Sequence, residues 1–397
     1  MVISMIAIKN GKIVTHEKIM ENQVLLLDGN RILGFTDIAA GVDRVVDAHG
    51  RYVIPGLVDV HSDKLEQYIQ PRPMSEVDFE FALKVCERDL LGAGITTMYH
   101  SISLFSDEFF GSTPLRTKEN VQRIADLIDE VHLRNHLIHH RFHLRIEMDN
   151  LEAYGIALDM IDQRKVHQIS FMNHTPGQGQ CRCVAMYRDT VPKYNGNLDG
   201  REINSMEVDE LREYYANKPK LSFEQQVELT QLAHEKGIPV ASHDDDTEEK
   251  LAENMRLGVD ISEFPISIKT AKAAKAFGFY TVVGAANILR GSSHSGNLSA
   301  AEAILEDCAD IICSDYYPAA LLHSIFHMHD KYGVPLFEVV NKATLNPAKA
   351  MRIDKEYGSI QPGKRADLLI VDKLDNYPVI THVFVDGYTT YRVEYRR

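Results

Sequence analysis

No apolar run in this chain approaches the roughly 20 residues needed to span a bilayer. Nor does the start read as a leader: MVISMIAIKNGKIV alternates apolar and polar residues and soon meets a Lys-Asn-Gly turn, the texture of a strand and hairpin and not of a secretory signal. Cysteine is scarce. Cys86, Cys181, Cys183, Cys308 and Cys313 are an odd, scattered set, which excludes a disulfide framework and points to reduced thiols in a cytoplasm. Cys181 and Cys183 form a C-x-C pair, but no second pair stands at zinc-site spacing. Positive charge is in deficit, with 43 Lys and Arg against 57 Asp and Glu and a net charge of −14. Such a field repels polyanions and argues against a general nucleic-acid or acidic-membrane surface. A small anionic substrate stays compatible, because a few local Arg and Lys can override that field inside a cleft. Also missing is the Gly-rich turn after an early strand that a doubly wound, dinucleotide-binding open sheet would carry.

What is present is an ordinary globular composition, 44% hydrophobic and 25% charged over 397 residues, long enough for one large domain and a smaller one. Residues 1–53 read as short alternating segments broken by turns, and residues 357–397 return to that texture in GSIQPGKRADLLIVDK and ITHVFVDGYTTYRV. Both ends are therefore expected to build one small β-sandwich. Between them, over 54–356, β-branched runs alternate with helical patterns, the signature of parallel βαβ units. Strands are expected at 54–61, 95–100, 140–147, 167–174, 238–243, 260–266, 280–287 and 309–315. Eight such units fit an α/β TIM barrel, a (β/α)8 fold.

Barrel chemistry sits at the carboxyl ends of the strands. The polar residues expected there are His61, Asp63, His100, Glu147, His174, His243 with Asp244, Asp245 and Asp246, Glu263, Asn287 and Asp315. Each alone has an ordinary explanation, as a hydrogen-bonded histidine or as an Asp capping the next helix. Together they suggest a metal site, since ring closure brings imidazoles and carboxylates to one mouth. If IPGLVDVHSD is a strand throughout, His61 and Asp63 share a face. In HRFHLRIE the apolar Phe142, Leu144 and Ile146 alternate with Arg141, His143, Arg145 and Glu147. That polar face either leads to charged chemistry inside the barrel or belongs to a wet edge strand.

Three loops carry further signals. The stretch NILRGSSHSGNLSAAEAI sets a Gly/Ser loop before a helix beginning near Ser299. It reads either as an anion site, with Arg290, Ser292 and His294 as donors, or as a plain connector. Arg72, in QPRP, follows the first ligand strand. The long connection 175–222 is expected to be a lid or substrate loop.

These segments together resemble a known group. The β-domain shared by both ends, VIPGLVDVH entering the barrel and the tail GSIQPGKRADLLIVD look like the amidohydrolase superfamily of metal-dependent hydrolases. Within it, HSDKLEQYIQPRP, HLRIE, MNHTPGQGQ, ASHDDDT, EFPIS, GAANILRGSSHSGN and SDYYPAALL are similar to the diphosphatases of the carbon–phosphorus lyase pathway. The likeness covers almost the whole chain. It implies hydrolysis of α-D-ribose 1-methylphosphonate 5-triphosphate to the 5-phosphate and pyrophosphate in phosphonate catabolism.

It also implies that His61, Asp63, Glu147, His174, His243 and Asp315 bind one or two divalent ions. Asp63 stands where most members have His, which tilts the choice modestly from Zn toward Mn or Mg. Asp315 is then the proton acceptor, while Arg72, Arg290, Ser292 and His294 meet the pyrophosphate charge. Lys64 either competes with metal or holds a phosphate. Glu263, in place of a histidine common in the superfamily, is a ligand, a partner of a basic residue, or neither. The implied partner is a small phosphorylated sugar, with no nucleic acid and no membrane, and a homo-oligomer is compatible. Two other readings stay open: an amidohydrolase acting on a cyclic amide or amino-purine, and a non-catalytic barrel scaffold.

Overall fold

Eight strands form a single parallel sheet. In chain order they are β1 (Leu57–Ser62), β2 (Ile95–Leu104), β3 (His139–Glu147), β4 (Gln168–Met172), β5 (Val240–His243), β6 (Ile261–Glu263), β7 (Tyr280–Gly284) and β8 (Ile311–Cys313). Each pairs in parallel with the next. Beyond β8 the Asp315 N–H donates to the His61 carbonyl at 3.0 Å, and the Asp63 N–H donates to the Asp315 carbonyl at 3.1 Å. These bonds stitch the last strand to the first, and the sheet closes as an α/β barrel of the TIM type. The computed structural model describes residues 5–72, 75–104, 114–173, 197–198, 201–202, 210, 213–214, 217–291 and 298–396. Among them no helix is long and apolar enough to cross a membrane.

Helices cover the barrel for local reasons. Lys118–Val131 buries Val121, Ile124, Ala125, Ile128 and Val131, the spacing of one helical face. Phe223–Glu235 starts on a capping box, with Ser222 Oγ accepting the Gln225 N–H and the Gln225 side chain accepting the Ser222 N–H. Ser299 caps the helix Ala300–Leu305, at the position expected from sequence.

Period-two alternation sorts the strands into two faces. Phe142, Leu144 and Ile146 join the large core beneath the helices, whereas Val58, Val60, Tyr99, Ala241, Ile261, Val282, Ile311 and Cys313 fill the barrel interior. Because β3 is paired on both sides, it is not an edge strand. Its polar face must look inward.

The two smaller sheets come from the chain ends. One has the order Arg31–Thr36, Val24–Asp28, Met5–Lys9, Arg44–Asp47; the other runs Tyr388–Arg392, Tyr377–Val385, Leu368–Leu374, Tyr52–Pro55, Lys12–Val14, Ile19–Met20. They share a core of Ile6, Ile8, Leu25 and Leu27 against Ile13, Val53, Leu368, Ile370 and Phe384.

Three expectations need correction. The strand expected over 54–61 is two strands, one in each body, parted at Gly56. A Cβ there would fall 2.1 Å from Thr96 Oγ1, so only glycine lets the chain pass. Asn287 does not end β7 but lies in the helix Ala285–Arg290. His100 is not at a strand end, since β2 continues to Leu104. Its Nε2 lies 2.9 Å from His140 Nδ1, and His140 Nε2 lies 3.3 Å from Glu87 Oε2, between the sheet and the helix Phe79–Gly92.

The buried His100–His140 pair contributes to the acid sensitivity of the fold. Burial holds His100 well below its usual range and lowers His140 despite Glu87, and burial with the nearby Arg141 takes His167 down to about 3. In the unfolded chain all three titrate near pH 6.5. Between those values the unfolded state binds more protons, so this stabilisation is complete above about pH 6.5 and falls away as pH drops. The melting temperature should hold level above that pH and decline from about 6.5 toward 4. A flat profile from 6.5 to 5 would contradict the neutral buried imidazoles.

Candidate metal centre

Three strand ends converge at the barrel mouth. His61 in β1, His243 ending β5 and Glu263 ending β6 each present one donor atom, all within 4.8 Å of one another. His61 Nδ1 lies 3.2 Å from Glu263 Oε2, and both side chains are buried. Neither of these two atoms completes a hydrogen bond. The other Glu263 oxygen, Oε1, accepts from Gln168 Nε2 at 2.9 Å, which fixes the carboxylate with Oε2 turned to the histidines. A shift of register between Asp59 and Ser62 interrupts the pairing of β1 with β2. The alternation fails there, so the consecutive Val60 and His61 both reach the interior.

The surroundings favour positive charge. Burial pushes the Glu263 carboxyl up, yet His61, His143 and His243 outweigh it and hold the group down at about 2. His143 is not a free donor: its Nδ1 faces Ser101 Oγ at 3.0 Å and its Nε2 faces Ser170 Oγ at 2.9 Å. Burial lowers it to about 3, so it stands as a neutral, doubly anchored ring 5.3 Å from that of His61. Burial also lowers His243, but Asp244, whose Oδ2 lies 3.0 Å from Nδ1, raises it above its ordinary value. The Phe264 ring packs 5.1 Å from His61 and 5.0 Å from His243, an apolar wall. Asp244, Phe264 and Asp315 all have positive φ, at 54°, 54° and 60°. For a bulky residue such as Phe264 that conformation is strained, and here it marks the mouth.

Asp63 stands just beyond the strand that carries His61. β1 ends at Ser62, and Asp63 is the N-cap position of the helix Lys64–Ile69, so it does not share a strand face with His61. Its Oδ1 accepts from Arg145 Nη1 at 2.9 Å. Burial pushes its pKa up, while Arg145, His61 and Arg116 bring it below the usual carboxylate range. Arg116 in turn grips Glu66 with Nε at 3.0 Å and Nη2 at 2.7 Å. Two guanidinium–carboxylate pairs thus stand beside the donor triad. Glu147, the last residue of β3, is buried. Burial pushes Asp315 up to about 6, with Asp63 adding to the rise and His61 and His243 opposing it.

Other candidates fall elsewhere. Asp245 is a buried structural acid that accepts from Ser242, Ser262 and Asn254. Lys64 Nζ donates to Gln67 at 3.0 Å and sits 5.3 Å over the Tyr68 ring. Arg72 is exposed in a bridge with Ser75, and Arg290 is exposed at the end of its helix. His174, Ser292, His294, the Cys181–Cys183 pair and most of the 175–222 connection lie outside the described residues. The sequence reading overlooked Gln168, Ser101, Ser170 and Arg116. The first three were detectable as polar residues at period two in apolar strands.

Two imidazoles and a carboxylate, with buried donor atoms lacking hydrogen bonds at His61 and Glu263, fit a divalent cation. Comparison with known proteins agrees. Residues 216–390 match the profile of the Amidohydrolase family. The chain is 31% identical over 385 residues to the alpha-D-ribose 1-methylphosphonate 5-triphosphate diphosphatase of Escherichia coli strain K12, covering 96% of this chain and 98% of that one. It is 24% identical over 403 residues to a 5-methylthioadenosine/S-adenosylhomocysteine deaminase of Thermoanaerobacter pseudethanolicus, covering 90% and 82%. Among solved structures, ochratoxinase from A. niger superposes with a TM-score of 0.65 at 13% identity, covering 98% of this chain and 95% of that one. An N-acetylglucosamine-6-phosphate deacetylase from Pasteurella multocida does so at 0.62 and 14%, covering 96% and 98%. With two imidazoles and a carboxylate converging at the barrel mouth and a relative alike from end to end, the chain belongs to the amidohydrolase family of hydrolases.

Proposed function

We propose that this hydrolase is a metal-dependent diphosphatase that cleaves the triphosphate of α-D-ribose 1-methylphosphonate 5-triphosphate to the 5-phosphate and pyrophosphate in cytoplasmic phosphonate catabolism. The observation that carries the reading is the 31% identity to the Escherichia coli diphosphatase across 96% of the chain. His61, His243 and Glu263 would hold one or two divalent ions, with Asp63, Glu147, His174 and Asp315 as the remaining donors. Bound Mn, Zn or Mg supplies Lewis acidity toward a phosphoryl oxygen and acidifies water.

The chain's own residues do the rest. Asp315, seated where β8 meets β1, takes the proton of the attacking water on its carboxylate. Arg145 keeps Asp63 ionised and aimed. Doubly anchored His143 holds the His61 side of the site in place, and Phe264 excludes water from one wall. Phosphoryl transfer depends on positioning and fixed positive charge, a task we assign to Arg72, Arg290, Ser292 and His294.

A second reading is deamination of an amino-purine, favoured by the weaker 24% likeness to the Thermoanaerobacter deaminase over 90% of this chain. A single assay separates the two. Metal-loaded protein should release pyrophosphate from ribosyl or nucleoside triphosphates and no ammonia from adenine nucleosides. Ammonia release without pyrophosphate would reverse the assignment.

A further inference from the structure

A second group of converging donors lies at the other end of the barrel. His139 begins β3 and Glu147 ends it, so the two are roughly 26 Å apart along the strand. His139 Nε2 stands 3.0 Å from Asp367 Oδ2 and 4.0 Å from Asp386 Oδ2, and all three atoms lie within 4.8 Å of one another. The His139 and Asp367 side chains are each only 7% exposed. His139 Nε2 and Asp367 Oδ2 are buried without a completed hydrogen bond.

The far oxygens of both acids are already committed. Asp367 Oδ1 accepts the Asp386 N–H at 2.8 Å, and Asp386 Oδ1 accepts from Arg365 Nη1 at 2.5 Å. Each carboxylate is thereby turned with Oδ2 toward the imidazole. Donors at 2.0–2.2 Å from a tetrahedral ion are about 3.3–3.6 Å apart, a value between the two observed separations. The Arg365 guanidinium, also near Glu356 at 3.4 Å, offsets one negative charge and leaves the other to the gap. Asp386 is 26% exposed, which admits water as a fourth ligand.

We propose that His139, Asp367 and Asp386 form a structural site for a divalent cation of the zinc class, separate from the mouth. The donors come from the barrel strand β3, from the residue leading into Leu368–Leu374 and from the turn between Tyr377–Val385 and Tyr388–Arg392. An ion there clamps the C-terminal strands to the barrel floor. The competing occupant is a proton, which would make His139 an imidazolium bridging two carboxylates.

Equilibrium dialysis of zinc into the chelator-stripped full chain distinguishes them, with circular dichroism verifying the fold. His139→Gln and Asp386→Asn should each bind one equivalent fewer than the unaltered chain and lose part of the zinc-induced rise in melting temperature. Glu263→Gln, which weakens the mouth, should retain the junction equivalent. Equal zinc stoichiometry in the unaltered chain and in whichever of the two junction variants folds would overturn the site. Asp386→Asn, being partly exposed, carries the comparison if His139→Gln misfolds.

Discussion

Asp315→Asn should lower turnover by about 100-fold or more, the usual scale of a general base, while metal content stays near its original level. The substitution is nearly isosteric. The bonds that close the barrel at this point use the backbone of residue 315, its N–H to the His61 carbonyl and its carbonyl to the Asp63 N–H, so they survive the change. The left-handed conformation at φ 60° suits Asn as well as Asp. What disappears is the ability to take a proton, because a carboxamide is not basic in this range. Burial already pushes the carboxyl up to about 6, which makes it a better acceptor than an exposed aspartate. The check is kcat together with elemental analysis of the same preparation. Near-normal turnover removes Asp315 from the proton-accepting role, and loss of metal would recast it as chiefly a ligand.

Glu263→Gln should weaken metal binding by at least the roughly 10–100-fold seen when even an outer partner of a ligand is removed. Glu263 is fully buried with Oε2 3.2 Å from His61 Nδ1, and a buried carboxylate needs a positive partner to offset its desolvation. The surrounding histidines supply part of that at a pKa of about 2, and a divalent ion would supply the remainder. Glutamine keeps the volume but loses the charge. Its amide would also face the Gln168 amide that now donates to the carboxylate. Metal titration monitored by melting temperature reads the effect directly. An unchanged affinity would reduce Glu263 to a hydrogen-bond partner of Gln168 and a neighbour of His61.

The two faces of β3 show how much of the fold was legible. HRFHLRIE alternates strictly, and a period of two places successive side chains on opposite faces, so its apolar and polar sides could be assigned from the string alone. The same logic misled at IPGLVDVHSD. There Gly56 switches the chain from one sheet to another because Thr96 leaves no room for a Cβ. The strand then loses register before His61 and stops before Asp63. His100 was misplaced because its strand runs on through the alternating Ser101, Ile102, Ser103 and Leu104, past the expected end at residue 100.

By itself the sequence determined the βαβ alternation, the pairing of both ends into β-structure and the supply of imidazoles and carboxylates near strand ends. These follow from nearest-neighbour periodicity and turn chemistry, which are properties of the chain at short range. Only the tertiary structure decided which of those groups meet. His61, His243 and Glu263 share a point, Asp63 turns to Arg145 and Asp245 is spent on two serines and an asparagine. The reason is that a ligand's direction depends on ring closure, on register and on partners such as Gln168, which lies 95 residues from the glutamate it holds.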